Sequence, residues 1–185
     1  MRSPDSSNPG RPPDRDGSYV PRPRSPQSQG TAVPAALPRR VPDPRPGVRT
    51  ASFGGTDDQV ARVRSWCLYG VRLPAHRMFP VLLVASELVT NAVRHSASGQ
   101  RCGRVRITVE TMPAHLVLLS VTDDGPRPGR SATVPAPAGD PAGPAQSGRG
   151  LHLVAALSER WWWTGFRGGP LTVWALIDPY RDADA

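Results

Sequence analysis

The sequence predicts an α+β protein, a two-layer α/β sandwich with helices on one face of a mainly antiparallel mixed sheet. Residues 57–70 and 80–96 space their apolar side chains as helices do. Residues 104–110 alternate between apolar and polar side chains, which is typical of a strand, and further strand-like runs follow them. Helices and strands of this kind bury their apolar faces against each other, and this produces a layered domain.

Composition and length limit the class of protein. The chain has 185 residues, a net charge of +8 and no lysine, so every basic side chain is arginine. Its two cysteines have no metal-binding spacing, which fits a reducing cytoplasm. No apolar run approaches the ~18 residues of a membrane span, and the N-terminus has no signal-peptide core. We therefore expect a cytoplasmic protein without membrane contact.

The chain divides into a tail and a domain. Residues 1–46 hold 12 of the 23 prolines and almost no large apolar side chains. Such a segment buries too little surface to offset its ordering entropy, so 1–48 is predicted to be a disordered basic tail. It is either a passive tail or an electrostatic arm for nucleic acid or an acidic partner. The domain is placed at 49–179 and a C-terminal tail at 180–185.

The elements follow in order from Val48. "VRTASF" predicts an edge strand, and "DDQVARVRSWCLYG" a helix capped by Thr56 or Asp57 and ended by Gly70. Pro80 suits the first turn of a second helix over 80–96.

The second half of the domain is richer in strands. "RVRITVE" and "HLVLLSVTD" predict a hairpin, and 124–146 predicts a long loop, which is typical of a lid, a binding loop or disorder. "GRGLHLVAALSE" predicts a helix, and "RWWWTGF" and "LTVWALI" two strands around "RGGP". The tryptophan run is interpreted as one ring in the core and others on the sheet edge; stacking on a base or partner is the alternative.

The helix "VLLVASELVTNAVRH" carries a polar stripe in its second half. Glu87, Thr90, Asn91 and Arg94 lie along one face, and the opposite face is apolar throughout. Apolar residues fill the same sector one turn earlier, so the polar groups are predicted to face a local opening. An ordinary solvated face is the alternative.

Two glycine motifs follow the stripe. In "VTDDGPRPG", Asp123 ends a strand, where its carboxylate can accept hydrogen bonds from an amino group, and Gly125 allows close approach; a simple turn is the alternative. In "SGRGLHLVAAL", glycines precede an apolar helix whose first N–H groups can bind an anion, aided by Arg149. A flexible loop-to-helix joint is the alternative there.

Taken together, these motifs resemble the GHKL ATPases, the superfamily of Hsp90, gyrase and the histidine kinases. "ELVTNAVRH" resembles the N-box, "DDG" the first glycine box and "GRGL" the second. Within the superfamily, "ELVTNAVRH", "GRGL" and the closing "GGPLTVWALI" resemble the bacterial anti-sigma factor serine kinases and their stand-alone ATP-binding relatives. The resemblance covers roughly residues 49 to 178 and implies the Bergerat-type ATP-binding fold, with ATP and Mg²⁺ as cofactors.

The resemblance also implies roles for individual residues. Glu87 matches the general base, and Asn91 the Mg²⁺ ligand. Asp123 matches the adenine-binding carboxylate, which the hydroxyl of Thr172 helps to hold. The implied ATP-binding positions are Asn91, Arg94, Asp123, Gly125, Gly148, Arg149, Gly150 and Thr172. One position departs from the family, since Arg127 stands where the first box has its second glycine.

The implied function is that of an anti-sigma factor that binds an RNA polymerase sigma factor and phosphorylates a serine of an anti-anti-sigma antagonist. The alternative is an ATP-binding interaction module of the same fold without kinase activity. No direct nucleic-acid contact is expected, a homodimer is possible, and a histidine kinase is disfavoured because no dimerisation helix is evident.

Overall fold

In the part of the chain that the structure describes, six strands form one sheet in the order β1-β2-β3-β4-β6-β5. The structure, a computed structural model, describes residues 38–41, 45–131, 134–135 and 148–181, all within one unit, Ala35–Ala185. Every strand pair of the described residues is antiparallel. The strands are β1 Arg39–Val41, β2 Val48–Gly54, β3 Arg104–Thr111, β4 Val117–Thr122, β5 Arg160–Gly165 and β6 Leu171–Ile177.

Among the described residues, three α-helices cover one face of this sheet: α1 Asp58–Gly70, α2 Phe79–His95 and α3 Gly148–Leu157. The central helix α2 packs against both other helices and against the middle strands. Its buried residues contact every second side chain of β3 and β4, because successive side chains of a strand point to opposite faces of the sheet. The fully buried members of this core include Val81, Val84, Val89, Val105, Ile107, Val117 and Leu119.

This architecture confirms the predicted α+β class with helices on one face. The sequence allowed for a mixed sheet, whereas the described strands pair only antiparallel. Short turns join β3 to β4 and β5 to β6, and such hairpins impose antiparallel pairing. Helices α1 and α2 lie between β2 and β3 in the chain, so the chain runs through the helical layer twice before it returns to the sheet.

The ends of the domain differ from the prediction. Strand β1 lies within the segment predicted as a tail and pairs with β2, so β2 is not an edge strand. Near the other end, the Arg77 guanidinium lies over the Tyr180 ring, 4.9 Å from its centroid, so the predicted C-terminal tail begins with a packed residue. Residues 1–37, 42–44 and 182–185 of the predicted tails lie outside the described residues.

The start of α1 also differs from the prediction. Asp57 occupies the N-cap position but its side chain makes no capping hydrogen bond. The hydroxyl of Thr56 and the amide of Gln59 instead donate to the carboxylate of Asp58, in the first helical turn. A carboxylate there interacts favourably with the positive end of the helix. The predicted stop at Gly70 is confirmed.

An arginine from a distant part of the chain binds the C-terminal carbonyl groups of each helix. Arg49 donates to the carbonyls of Tyr69 and Gly70 at the end of α1, at 3.2 and 3.3 Å. Arg181 donates to Ala156 O of α3 at 2.5 Å. Arg127 likewise donates to carbonyl groups at the end of α2. A cation at this end stabilises the helix dipole and occupies unpaired carbonyls.

The tryptophan run divides between the two faces of the sheet. Trp161 is partly buried against the core, and Trp163 is 36% exposed. Trp162 lies on the open face, where its ring stacks on that of Trp174, with centroids 6.0 Å apart. The indole N–H of Trp174 donates to Thr164 on the edge strand. These contacts are those of a packed strand.

We expect Gly55→Ala to destabilise the domain. A Cβ at Gly55 would lie 1.5 Å from the carbonyl oxygen of Ser98, a backbone atom that cannot move aside cheaply. We expect a loss of about 3 kcal/mol in the free energy of unfolding, the usual size for severe overpacking. Urea unfolding monitored by circular dichroism measures it.

The neighbouring substitution Gly54→Ala is the matched control. A Cβ there would meet only the side chain of Gln59, at 3.8 Å, which is an ordinary contact. Equal stabilities for Gly55→Ala and Gly54→Ala would show that the backbone of Ser98 does not lie as close to residue 55 as the structure has it.

Candidate functional site

The polar stripe of α2 lies partly buried in the structure. The side chains of Glu87, Thr90 and Asn91 are intermediate in exposure, whereas Val84, Leu88 and Ala92 beside them are buried. Helical periodicity turns the stripe away from the sheet. A partly buried carboxylate next to an amide is not an ordinary solvated surface, since burial of such groups without partners is costly.

The N-terminus of α3 closes over this stripe. A Cβ at Gly150 would lie 2.6 Å from Glu87 Oε2 and 3.4 Å from Asn91 Nδ2. Any larger residue at position 150 would push the Glu87 carboxylate away, so glycine keeps the first turn of α3 beside both polar groups in their present positions. Gly148 begins the helix, and Arg149 is exposed in its first turn. The unpaired N–H groups of that turn favour a negatively charged ligand.

Asp123 lies at the end of β4, where two backbone groups hold it. Its Oδ1 accepts hydrogen bonds from the N–H of Gly125 at 2.7 Å and of Leu171 at 3.0 Å. No described residue donates to Oδ2, so this oxygen can accept from an amino group of a ligand. Burial raises the pKa of the Asp123 carboxyl, although the two backbone hydrogen bonds act in the opposite direction.

Gly125 takes a conformation that other residues rarely adopt. Its φ is +83°, and a Cβ there would lie 2.9 Å from the carbonyl carbon of Gly169. The turn between β5 and β6 therefore lies directly against the loop that follows Asp123. The carbonyl of Gly125 also accepts a hydrogen bond from Ala97 N–H at 2.7 Å. These contacts hold the backbone at Gly125 in place beside Asp123 Oδ2.

The role implied for Thr172 differs in the structure. Its hydroxyl shares a 2.8 Å hydrogen bond with that of Thr122, and the described donors to Asp123 are backbone N–H groups instead. The register explains the difference, because Thr122 and Thr172 are direct partners across β4 and β6. Paired threonines on one face bring their hydroxyl groups together.

Arg94 lies apart from the contact between the two helices. It is exposed and lines an open hollow of about 390 Å³, together with Arg127, Val93, Gly99 and residues 55–57. Neither Glu87, Asn91 nor Asp123 lines this hollow. The structure thus brings Glu87, Asn91 and Gly150 into one group. Asp123 and Gly125 form another group, and Arg94 lies apart from both, in the last turn of α2.

Sequence analysis missed two parts of this site. The first is the turn Gly169–Leu171, whose backbone holds Asp123; its "GGP" signal was interpreted only as a turn. The second is Arg127, which was noted as a departure from a glycine and in the structure binds the end of α2. No local pattern in the sequence predicts that contact, since it joins residues more than thirty positions apart.

An antiparallel sheet with this helix pair, a strand-end aspartate and a glycine-led helix defines a nucleotide-binding α/β sandwich. The chain belongs to the family of histidine kinase-like ATPase domains, whose model matches residues 55–173. That span contains every predicted site residue, and membership implies that the domain binds ATP.

The histidine kinase domain of the Erythrobacter litoralis EL346 blue-light activated histidine kinase shares 22% identity with this chain, at a TM-score of 0.40. The alignment covers 68% of this chain and 61% of that one, so the chain spans less than two thirds of that domain. No curated protein matches the sequence. Within the described residues, no helix is long and apolar enough to cross a membrane.

The residues fit the adenine and phosphate ends of ATP. Asp123 Oδ2 is an acceptor for the exocyclic amine, and the start of α3 suits phosphate. Among the described residues no group of three or more His, Cys, Asp or Glu could hold a metal ion alone. A magnesium ion would therefore depend on Asn91 together with phosphate oxygens and water, an arrangement that Mg²⁺ favours.

Proposed function

We propose that this protein is a Mg²⁺- and ATP-dependent serine kinase of the anti-sigma type. Its phosphoryl acceptor would be a serine of an anti-anti-sigma antagonist, and its second partner an RNA polymerase sigma factor. The observation that carries the proposal is the approach of Gly150 to Glu87 and Asn91, which sets a carboxylate and an amide beside a helix N-terminus. The motif resemblance supplies the anti-sigma subtype.

Glu87 has the chemistry of a general base. As the serine oxygen bonds to the γ-phosphorus of ATP, the bond from that phosphorus to ADP would break and ADP would leave, and Glu87 Oε2 would accept the proton of the serine hydroxyl. A carboxylate suits this work when it is close to the acceptor and partly shielded from water. Glu87 meets the second condition, since it is partly buried beneath the first turn of α3.

Asn91 and the start of α3 would hold the phosphate end of the nucleotide. ATP supplies the γ-phosphoryl group when bound, and Mg²⁺ neutralises part of its charge. Asn91 Oδ1 is a suitable oxygen ligand for magnesium. The N–H groups of the first turn of α3, with Arg149, would bind phosphate oxygens. Positioning and charge neutralisation are the main contributions to phosphoryl transfer.

Asp123→Asn should separate nucleotide binding from stability. Asparagine keeps an oxygen for the N–H groups of Gly125 and Leu171, but an NH2 group, which cannot accept from the adenine amine, takes the place of Oδ2. We expect ATP affinity to fall about tenfold or more, measured by isothermal titration calorimetry. The free protein should be as stable as wild type or more so at pH 7, because burial raises the pKa of the Asp123 carboxyl.

The pH dependence has a defined sign. A carboxyl whose pKa is higher in the folded than in the unfolded protein stabilises the fold fully at pH values below its unfolded pKa. That contribution is lost as the pH rises through its folded pKa. The stability advantage of Asp123→Asn should therefore shrink as the solution is acidified. Asp124→Asn is a control, since Asp124 Oδ2 accepts a hydrogen bond from Arg104 N–H outside the adenine position. Equal ATP affinities for wild type and Asp123→Asn would contradict the adenine role.

A second candidate is an ATP-binding interaction module without kinase activity. Arg127 favours it, because this side chain binds the end of α2 where the resembled kinases have a second glycine. In that case ATP would act as a switch for the sigma factor or another protein. The two candidates differ in phosphoryl transfer, which an assay with a purified antagonist domain and radiolabelled ATP measures.

A further inference from the structure

The side chain of Arg127 reaches from the loop after β4 to the end of α2. Its Nε donates to Ser96 O at 3.0 Å, and its Nη2 donates to Val93 O at 3.1 Å and Arg94 O at 2.7 Å. Three carbonyl groups of one helix end thus converge on a single guanidinium. The planar fork of arginine suits this geometry, and it remains charged at any physiological pH.

The neighbouring backbone is attached to the same place. Gly125 O accepts from Ala97 N–H at 2.7 Å, and Asp124 N–H donates to Ser98 Oγ at 2.9 Å. The loop that carries Asp123 and Gly125 is therefore joined to residues 93–98 at several points, and Arg127 supplies the charged ones. These hydrogen bonds hold the loop against the end of α2.

Helix α2 also carries the phosphate-side groups. Asn91 lies only two residues before Val93, whose carbonyl Arg127 binds, and Glu87 lies one turn earlier. The base side and the phosphate side of the site are thus attached to the same helix. Their separation depends on how firmly the loop is held to the helix end.

We propose that Arg127 is a positioning residue that sets the adenine-contacting loop at a fixed distance from Asn91 and Glu87. The inference rests on the proposed function, since it concerns the same nucleotide site. A glycine at this position would leave the start of the lid free to adjust around each nucleotide. Arg127 instead holds the loop in place before the nucleotide arrives, so that a ligand with the wrong base edge fits poorly.

The experiment compares ATP with inosine triphosphate, which lacks the exocyclic amine that Asp123 would accept from. Affinities of both nucleotides are measured by calorimetry, in magnesium, for wild type and Arg127→Met. We expect the variant to bind ATP about tenfold more weakly, the loss of one good hydrogen bond. Its preference for ATP over inosine triphosphate should fall towards one.

Two further variants make the test specific. Arg130→Met is the matched control, because Arg130 is exposed three residues later and its side chain makes no contact with α2 among the described hydrogen bonds. It should keep the base preference of wild type. Arg127→Lys keeps the positive charge but lacks the planar guanidinium. We therefore expect its preference for ATP over inosine triphosphate to lie between those of wild type and Arg127→Met. If Arg127→Met does not fold, Arg127→Lys carries the measurement.

The outcomes separate the two proposals. A lower melting temperature with an unchanged base preference would show that Arg127 only caps α2, and would overturn the positioning role. A wild-type protein that binds ATP without preferring it to inosine triphosphate would also overturn it, while leaving ATP binding intact. Failure of wild type to bind either nucleotide would overturn the proposed function together with this inference.

Discussion

The variant Glu87→Gln is expected to bind ATP normally and to transfer phosphate about 10²–10⁴-fold more slowly, the usual contribution of a general base. Glutamine has nearly the same shape as glutamate, so the contact of α3 with α2 at Gly150 is retained. The side chain can no longer accept the proton of the serine hydroxyl. The measurement is the initial rate of transfer from radiolabelled ATP to an antagonist domain.

The control for this variant is Glu110→Gln. Glu110 is a partly exposed carboxylate on β3 that forms a 3.7 Å ion pair with Arg45, and it lies outside the site. It should transfer phosphate at the wild-type rate. If Glu87→Gln matches wild type, Glu87 is not the base; if wild type itself transfers no phosphate, the interaction module is the correct function.

Gly150→Ala should impair the site while leaving the fold intact. The added Cβ would lie 2.6 Å from Glu87 Oε2, so this carboxylate must turn away. The displaced atom is the end of a flexible side chain, and alanine is a better helix former than glycine by about 1 kcal/mol. We therefore expect an unchanged or higher melting temperature, with ATP affinity and phosphoryl transfer lower by about tenfold or more.

The comparison for Gly150→Ala is His152→Ala in the same helix. His152 is exposed, so this change alters helix propensity without adding an atom beside Glu87. It should leave nucleotide affinity unchanged. A Gly150→Ala protein that binds ATP and phosphorylates as wild type does would mean that α3 does not approach the stripe as closely as the structure has it.

Sequence predicted those parts of the fold that depend on local periodicity. The spacing of Glu87 and Asn91 places both on one helix face wherever the helix is found. The strand alternation in 104–110 fixes which side chains enter the core, and the structure confirms it. Gly70 and Pro80 predicted the end of one helix and the start of the next to within one residue, because both act through the backbone.

The parts that could not be predicted depend on contacts between distant residues. The pairing of Thr172 with Thr122 follows from strand order and register, which the sequence does not contain. Strand β1 lies among prolines, and only its pairing with β2 distinguishes it from a tail. The contact of Gly150 with Glu87 required the packing of α3 on α2, although the two motifs themselves were evident.

The arginines at the helix ends have a consequence for engineering this protein. Its 23 arginines outnumber the 15 acidic residues and give a net charge of +8, so a designer would lower this charge by replacing some arginines with neutral residues, or keep it by replacing them with lysine. Arg49, Arg127 and Arg181 should be spared, since each fork serves carbonyl groups that a lysine ammonium matches less well. Charge can be removed from this surface, but these three positions are part of the framework.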